Sequence, residues 1–205
     1  MKKDIILAGV GGQGILSIAA IIGAAVVEKD LFVKQAEVHG MSQRGGDVQS
    51  HLRISDKPVF SDLIPLGQAD MIISVEPMES LRYLPYLNPE TGWLITNTTP
   101  FVNIPNYPEV TEVMKEVAKI KNHIAINADA IAKDLGNAKA ANMVILGAAS
   151  LHLDIDYEEF EKAVKTNFGR KGEDVVQANL AALEAGRKAG QVYEASPSPS
   201  KGGEV

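Results

Sequence analysis

Apolar and polar residues change their spacing several times along this chain, and each change marks an element. Ile5 to Ala8 is a short continuous apolar run, right for a strand buried on both faces of a parallel sheet. Glycines stand at 9, 11, 12 and 14, and Ile15 to Glu28 then reads as a largely apolar, alanine-rich helix. Phe32 to Val38 predicts a second strand, so the chain opens as a β–loop–α–β unit with a right-handed crossover and parallel strands. Val48, Ser50, Leu52 and Ile54 alternate with Gln49, His51 and Arg53. That period of two predicts a strand with one face toward water or a partner. Asp56-Lys57-Pro58 predicts a turn, with Val59 to Ile64 returning as a hairpin strand.

Met71 to Val75, Trp93 to Thr96 and Ile124 to Ile126 continue the series of short apolar strands, and Pro77 suits the first turn of a helix. Phe101 to Pro108 reads as loop, and Val110 to Ile120 fits neither period cleanly. The remainder predicts helices over Ala128–Leu135, Asn142–Leu153, Tyr157–Thr166 and Asp174–Lys188, with Asp156 and Glu159 spaced as a capping box. From Gly190 the composition turns to Ser, Pro and Gly. The pattern predicts one α/β domain over 1–190 and a disordered tail over 191–205. The fold class expected is a three-layer Rossmann-like sheet, mostly parallel with a hairpin, followed by a C-terminal helical segment.

Composition narrows the chemistry. At 205 residues, 45% hydrophobic and 22% charged, the chain can bury a core without covalent staples. It has no cysteine, which excludes disulfides, thiolate zinc sites and cysteine-held iron–sulfur clusters on this chain. A net charge of −6 argues against a general nucleic-acid binder. No apolar run approaches the ~18 residues of a membrane span, and nothing resembles a signal peptide, so a cytoplasmic protein with no membrane partner is expected. His39, His51, His123 and His152 show no metal-ligand spacing, and no metal site is expected.

Two glycine-rich loops carry the candidate chemistry. Gly9-Val10-Gly11-Gly12-Gln13-Gly14 matches G-x-G-x-x-G between a strand and a helix, an arrangement whose backbone N–H groups cradle a phosphate. A dinucleotide site also wants an acid about 20 residues on, and Glu37 comes late for that. Two readings stand beside it: tight strand–helix packing, and close approach of another chain. The second loop, Glu37-Val38-His39-Gly40-Met41-Ser42-Gln43-Arg44-Gly45-Gly46, follows the second strand and is expected at the same carboxyl edge. Arg44 could clamp a carboxylate or phosphate bidentately, with Glu37 or His39 orienting it; the alternative is a surface turn. Asn97 and Thr98 follow a strand and are weaker candidates for the same edge, being ordinary turn formers too. Arg170 and Lys171, in a polar linker between helices, could meet an acidic partner or a phosphate, or form a solvated turn. The apolar helix from Met143 is a candidate for core or subunit interface.

The two loops together resemble the γ-type domain of the 2-oxoacid:ferredoxin oxidoreductases, which carries G-x-G-G-Q-G after its first strand and R-G-G or R-G-A further on. The wording from Glu37 to Gly46 is most similar to the small subunit of the indolepyruvate type. The match runs from the N-terminus to about Gly190 and includes Val75-Glu76-Pro77 and the helix around Asn179-Leu180.

The resemblance implies a subunit of an enzyme that decarboxylates a 2-oxo acid on thiamine diphosphate. Electrons then pass through [4Fe–4S] clusters to ferredoxin, and an acyl-CoA is released. Without cysteine, and without the Gly-Asp-Gly and Asn-Asn motif of thiamine enzymes, this chain is expected to carry no cofactor firmly and no catalytic residue of its own. Thiamine diphosphate, Mg and clusters then belong to a larger partner, and CoA is the co-substrate. Gly9, Gly11, Gly12, Gln13, Gly14, Glu37, His39, Ser42, Gln43, Arg44, Gly45 and Gly46 form the expected CoA-phosphate or subunit-interface loops. Self-association of the isolated chain is left open. The alternatives are a free-standing NAD(P)- or flavin-binding protein and a nucleotide-sensing scaffold.

Overall fold

The apolar runs become the strands of one sheet. The computed structural model describes residues 1–27, 29, 31–39, 45–102 and 104–196. Among them β1 (Lys2–Val10), β2 (Phe32–His39), β3 (Asp47–Ser55), β4 (Met71–Ser74), β5 (Trp93–Asn97) and β6 (His123–Ile126) lie in the spatial order β2-β3-β1-β4-β5-β6. β1, β4, β5 and β6 pair in parallel, whereas β3 runs antiparallel to both β1 and β2. The sheet is therefore mostly parallel with one hairpin, as the sequence predicts.

The hairpin is not where the sequence places it. β1 and β2 point the same way but are not neighbours, because β3 zips onto β2 and inserts between them. With both edges of β3 taken, Val59 to Ile64 cannot return onto it as a hairpin, and it forms no strand. Side chains of β2 and β3 hold it instead. Lys34 Nζ donates to the Phe60 carbonyl (3.3 Å), and Arg53 donates to the carbonyls of Ser61 (3.1 Å) and Leu63 (3.0 Å). The Ile64 N–H donates to His51 Nδ1 (3.0 Å). The polar face of β3 thus meets its own chain, and His51 is buried there.

Seven α-helices and three short 3-10 turns stand among the described residues, the α-helices being α1 (Ile15–Val27), α2 (Pro77–Arg82), α3 (Val110–Ala118), α4 (Ala128–Asp134), α5 (Ala141–Ala149), α6 (Tyr157–Phe168) and α7 (Glu173–Ala195). Alternation along β1 fixes the layers. Ile5 and Leu7 pack with α1, α5 and α6 through residues such as Ile22, Val144 and Phe160. Ile6 and Ala8 face the other way, against Tyr83, Leu87 and Val117. Each such fully buried aliphatic side chain contributes about 1.5–3 kcal/mol. α5 and α7 cross so closely that a Cβ on Gly186 would lie 1.9 Å from the Val144 carbonyl oxygen. All seven residues from Met143 to Ala149 are buried in that packing, so α5 is core.

Four local expectations change. Val110 to Ala118, unresolved by periodicity, is helix. α5 stops at Ala149 and not Leu153, where the Ser150 hydroxyl donates to the Gly147 carbonyl (2.6 Å) and the chain turns at Asp154 (φ 55°). The Asp156 side chain makes no capping bond, because it pairs with Lys29 at 2.6 Å. α7 runs through Gly190 to Ala195, so the change in composition does not end the helix, and residues 197–205 of the expected tail lie outside the described residues.

Candidate functional site

The carboxyl ends of β1, β4 and β5 meet on one edge, where the first glycine loop joins β1 to α1. The second loop returns to the same place. The Gly11 N–H donates to the Gly46 carbonyl (2.8 Å) and the Gly45 N–H to the Gly11 carbonyl (3.4 Å), so the ends of the two loops are laced backbone to backbone. Ser42, Gln43 and Arg44 lie outside the described residues, as does the side chain of His39.

Within the first loop, Gln13 turns inward. Its Oε1 accepts from the Val10 N–H (2.8 Å) and its Nε2 donates to the Val75 carbonyl (3.4 Å), bracing the loop against the end of β4. Gly14 accepts the first bonds of α1, from Ser17 (3.1 Å) and Ile18 (3.4 Å), which leaves the N–H groups ahead of them without helical acceptors. Gly14 has φ +81°, and a Cβ there would meet Asn142 Nδ2 at 2.4 Å, the atom that donates to the Gly14 carbonyl (3.1 Å). Gly12 has φ +102°, but a Cβ on it would meet nothing within 4 Å, so it faces open space.

That open space has two parts, sharing Gly12 and Gly14 as a ridge. One is a cleft of about 690 Å³ between the loop, the start of α5 and the start of α7. Lys139, Asn142, Phe168, Lys171 and Asp174 line it, with Lys171 Nζ 5.2 Å from the centre of the Phe168 ring. The other is an apolar slot of about 280 Å³ walled by Val10, Ile15, Leu16 and Val48, with Glu37 as its charged group. Lys139, Asn142 and Phe168 had no local signal in the sequence, because folding brings them from more than a hundred residues away. Lys171 is the basic linker residue noted above.

The far side of the edge is closed. Asn97, buried, donates to the Val75 carbonyl (3.3 Å) and Asp129 (2.6 Å) and accepts from the N–H groups of Thr99 (3.3 Å) and Ala128 (3.0 Å). The Thr98 N–H donates to the Ile126 carbonyl (3.0 Å). Glu76, fully buried, accepts from the N–H groups of Glu79 (2.8 Å), which caps α2, and Phe101 (3.2 Å), and from the Tyr107 hydroxyl. Burial first, and then the hydrogen bond to Glu76, pushes the Tyr107 hydroxyl well above its ordinary range. Burial likewise raises the Glu79 carboxyl, against the opposing pull of Arg82 at 2.7 Å. Among the described residues no group of three or more histidines and acids could hold a metal ion, and no helix is long and apolar enough to cross a membrane.

The chain is a mostly parallel α/β domain whose two glycine loops interlock beside a cleft lined by Lys139 and Lys171. Residues 4–189 match the model of the pyruvate ferredoxin/flavodoxin oxidoreductase family, and the chain belongs to that family. It is 38% identical to the indolepyruvate oxidoreductase subunit IorB of Archaeoglobus fulgidus, over 91% of this chain and 94% of that one. It is 27% identical to the 2-oxoglutarate synthase subunit KorC of Methanothermobacter marburgensis, over 92% and 96%. Its fold is similar, at a TM-score of 0.72 and 22% identity, to 2-oxoglutarate:ferredoxin oxidoreductase from Magnetococcus marinus with 2-oxoglutarate, coenzyme A and succinyl-CoA bound. That likeness covers 93% of this chain and 31% of the other.

Proposed function

We propose that this chain is the small subunit of an indolepyruvate-type 2-oxoacid:ferredoxin oxidoreductase. The observation that carries the reading is 38% identity to an indolepyruvate oxidoreductase subunit across nearly the whole of both chains, against 27% for a 2-oxoglutarate synthase subunit. The reaction is the oxidative decarboxylation of an aryl 2-oxo acid to an acyl-CoA, with the electrons passing to ferredoxin. Thiamine diphosphate, Mg and [4Fe–4S] clusters sit on a larger partner subunit and supply the carbanion and redox chemistry there; with no cysteine, this chain has no thiolate to ligate a cluster. Ferredoxin reaches the complex through that partner, and both belong in the cytoplasm.

This chain's part is to bind and position the acceptor. The N–H groups at the start of α1 and the lysines of the cleft take the phosphates of CoA, as the interlocked loops hold their backbone toward it. Gly9, Gly11, Gly12 and Gly14 permit the close approach, and Gln13 fixes the loop from behind. The segment from Glu37 to Gly46, with His39, Ser42, Gln43, Arg44, Gly45 and Gly46 in its sequence, is the part that meets the partner, and Glu37 borders the slot.

Co-expression with the large subunit tests the reading. The pure complex reduces a viologen dye in the presence of indolepyruvate and CoA, and the small subunit alone does not. A complex with no activity on any aryl 2-oxo acid would sink it.

A further inference from the structure

The sheet ends in two edges, and they are finished differently. β6 is four residues long and α7 lies against it, with Tyr193 meeting the backbone of Ala125 and, edge-on, the ring of His123 (5.7 Å between centres). β2 is eight residues long, and among the described residues β3 is its one strand neighbour. No side chain from Phe32 to Val38 is buried, whereas every residue of β4 is. We infer that the outer edge of β2 pairs with the β2 of a second copy of this chain, antiparallel and centred on Gln35, joining two six-stranded sheets into one.

Pairing needs open backbone and a surface that does not repel. In an antiparallel ladder each residue directs its N–H and C=O to the same side, so alternate residues of β2 direct both away from β3. Proteins ordinarily guard such an edge by keeping it short, or with proline, a bulge or lysine. β2 is long, has no proline, and pairs with β3 residue for residue from Phe32 to His39 without a bulge. Its lysine, Lys34, is drawn over the sheet onto Asp62 (3.0 Å) and the Phe60 carbonyl (3.3 Å). Phe32 and Val38 share the face of Lys34 by alternation and are exposed, and Phe60 is 90% exposed. Three large apolar side chains thus stand around one open edge.

The strand is its own complement. A two-fold axis normal to the sheet keeps each side chain on its own face and lays an identical edge alongside. Centred on Gln35, it sets Phe32 opposite Val38 of the second copy, an aromatic–β-branched pair made twice. Gln35 meets its own copy, and two side-chain amides can each donate and accept. The copies of Lys34 come diagonal to each other, with Asp62 beside each to offset the charge. A centre at Ala36 would instead bring Lys34 opposite Val38 and leave Phe32 beyond the end of the pairing. This fit of one sequence to itself favours a second copy over an unrelated strand of the large subunit.

The isolated full-length chain tests the pairing, which needs neither the large subunit nor a ligand. Sedimentation of the wild type gives a dimer, and Phe32→Lys raises its dissociation constant about tenfold or more. Val38→Lys repeats the test should Phe32→Lys not fold. The chain has no cysteine of its own, so single cysteines report geometry. A short bismaleimide joins Gln35→Cys to its copy, and does not join Val192→Cys, also exposed but on α7. A monomeric wild type overturns the inference. So does a dimer that both lysine variants leave intact, or one linked through Val192→Cys and not Gln35→Cys. If the wild type is monomeric and Phe32→Lys blocks assembly with the large subunit, the edge belongs to that partner and the second copy is excluded. None of these measurements involves turnover, which separates the pairing from the proposed activity.

Discussion

Two stretches of one sheet edge use similar residues for opposite ends. On the side of β4 and β5, Glu76 and Asn97 are a carboxylate and an amide at strand ends, where ligands are bound in many α/β proteins. Here their polar atoms are spent on the protein itself: Glu76 gathers three donors and Asn97 four partners. On the side of β1, Gly12 faces open space, the first N–H groups of α1 have no helical acceptor, and the lysines line an open cleft. Residue type does not separate a strut from a contact; counting who already satisfies each polar atom does. Gln13 makes the point within a single loop, since it sits among the glycines that border the open cleft yet bonds to Val10 and Val75.

The comparison can be broken by substitution. The largest effect is expected at Glu76→Ala, which strands the N–H groups of Glu79 and Phe101 and the Tyr107 hydroxyl. A loss of about 2–3 kcal/mol follows, read from the denaturant midpoint, with KM for CoA in the complex little changed. A rise in KM without loss of stability would make Glu76 a ligand contact. Gln13→Ala is expected to cost less, about 1 kcal/mol, and to raise KM for CoA as well, because the loop it braces is the one proposed to take CoA. Stability and KM must move together there; either alone would refute the bracing role.

The smallest effect concerns pH. Burial, followed by the charge of Arg53, holds the His51 imidazole below its ordinary range. The folded chain therefore prefers neutral His51, while the unfolded chain takes up a proton near pH 6.5. The contribution is present above that value and is lost as pH falls through it, since the unfolded state then binds more protons. Protonation would also remove the acceptor for Ile64. His51→Gln should flatten the fall in stability between neutral and mildly acid pH, measured as melting temperature against pH. An unchanged slope would place the titration elsewhere.

Much of the fold is legible in the sequence because continuous apolar runs such as Ile5–Ala8 and Met71–Val75 admit few alternatives. Registers and neighbours are less so. Nothing local in Val48–Ile54 says that both its edges will be occupied, and that denies Val59–Ile64 the hairpin pairing with β3. The site divides the same way. Its two glycine loops are motifs within a few residues and could be read directly, and the structure brings Gly11 to Gly45 and Gly46. The cleft opposite them is assembled from the starts of α5 and α7 together with Lys139, just ahead of α5, and Phe168, the last residue of α6, both in ordinary surface sequence. The close crossing at Gly147 and Gly186 holds α5 against α7.

In the proposed function this edge serves the acceptor and not the 2-oxo acid. Gly14→Ala tests it most directly, because the new Cβ would press on Asn142 and disturb the ridge shared by both cavities. Steady-state kinetics of the purified complex should show KM for CoA raised about tenfold, with KM for indolepyruvate unchanged and the complex intact. A rise in KM for indolepyruvate with that for CoA unaltered would contradict the account.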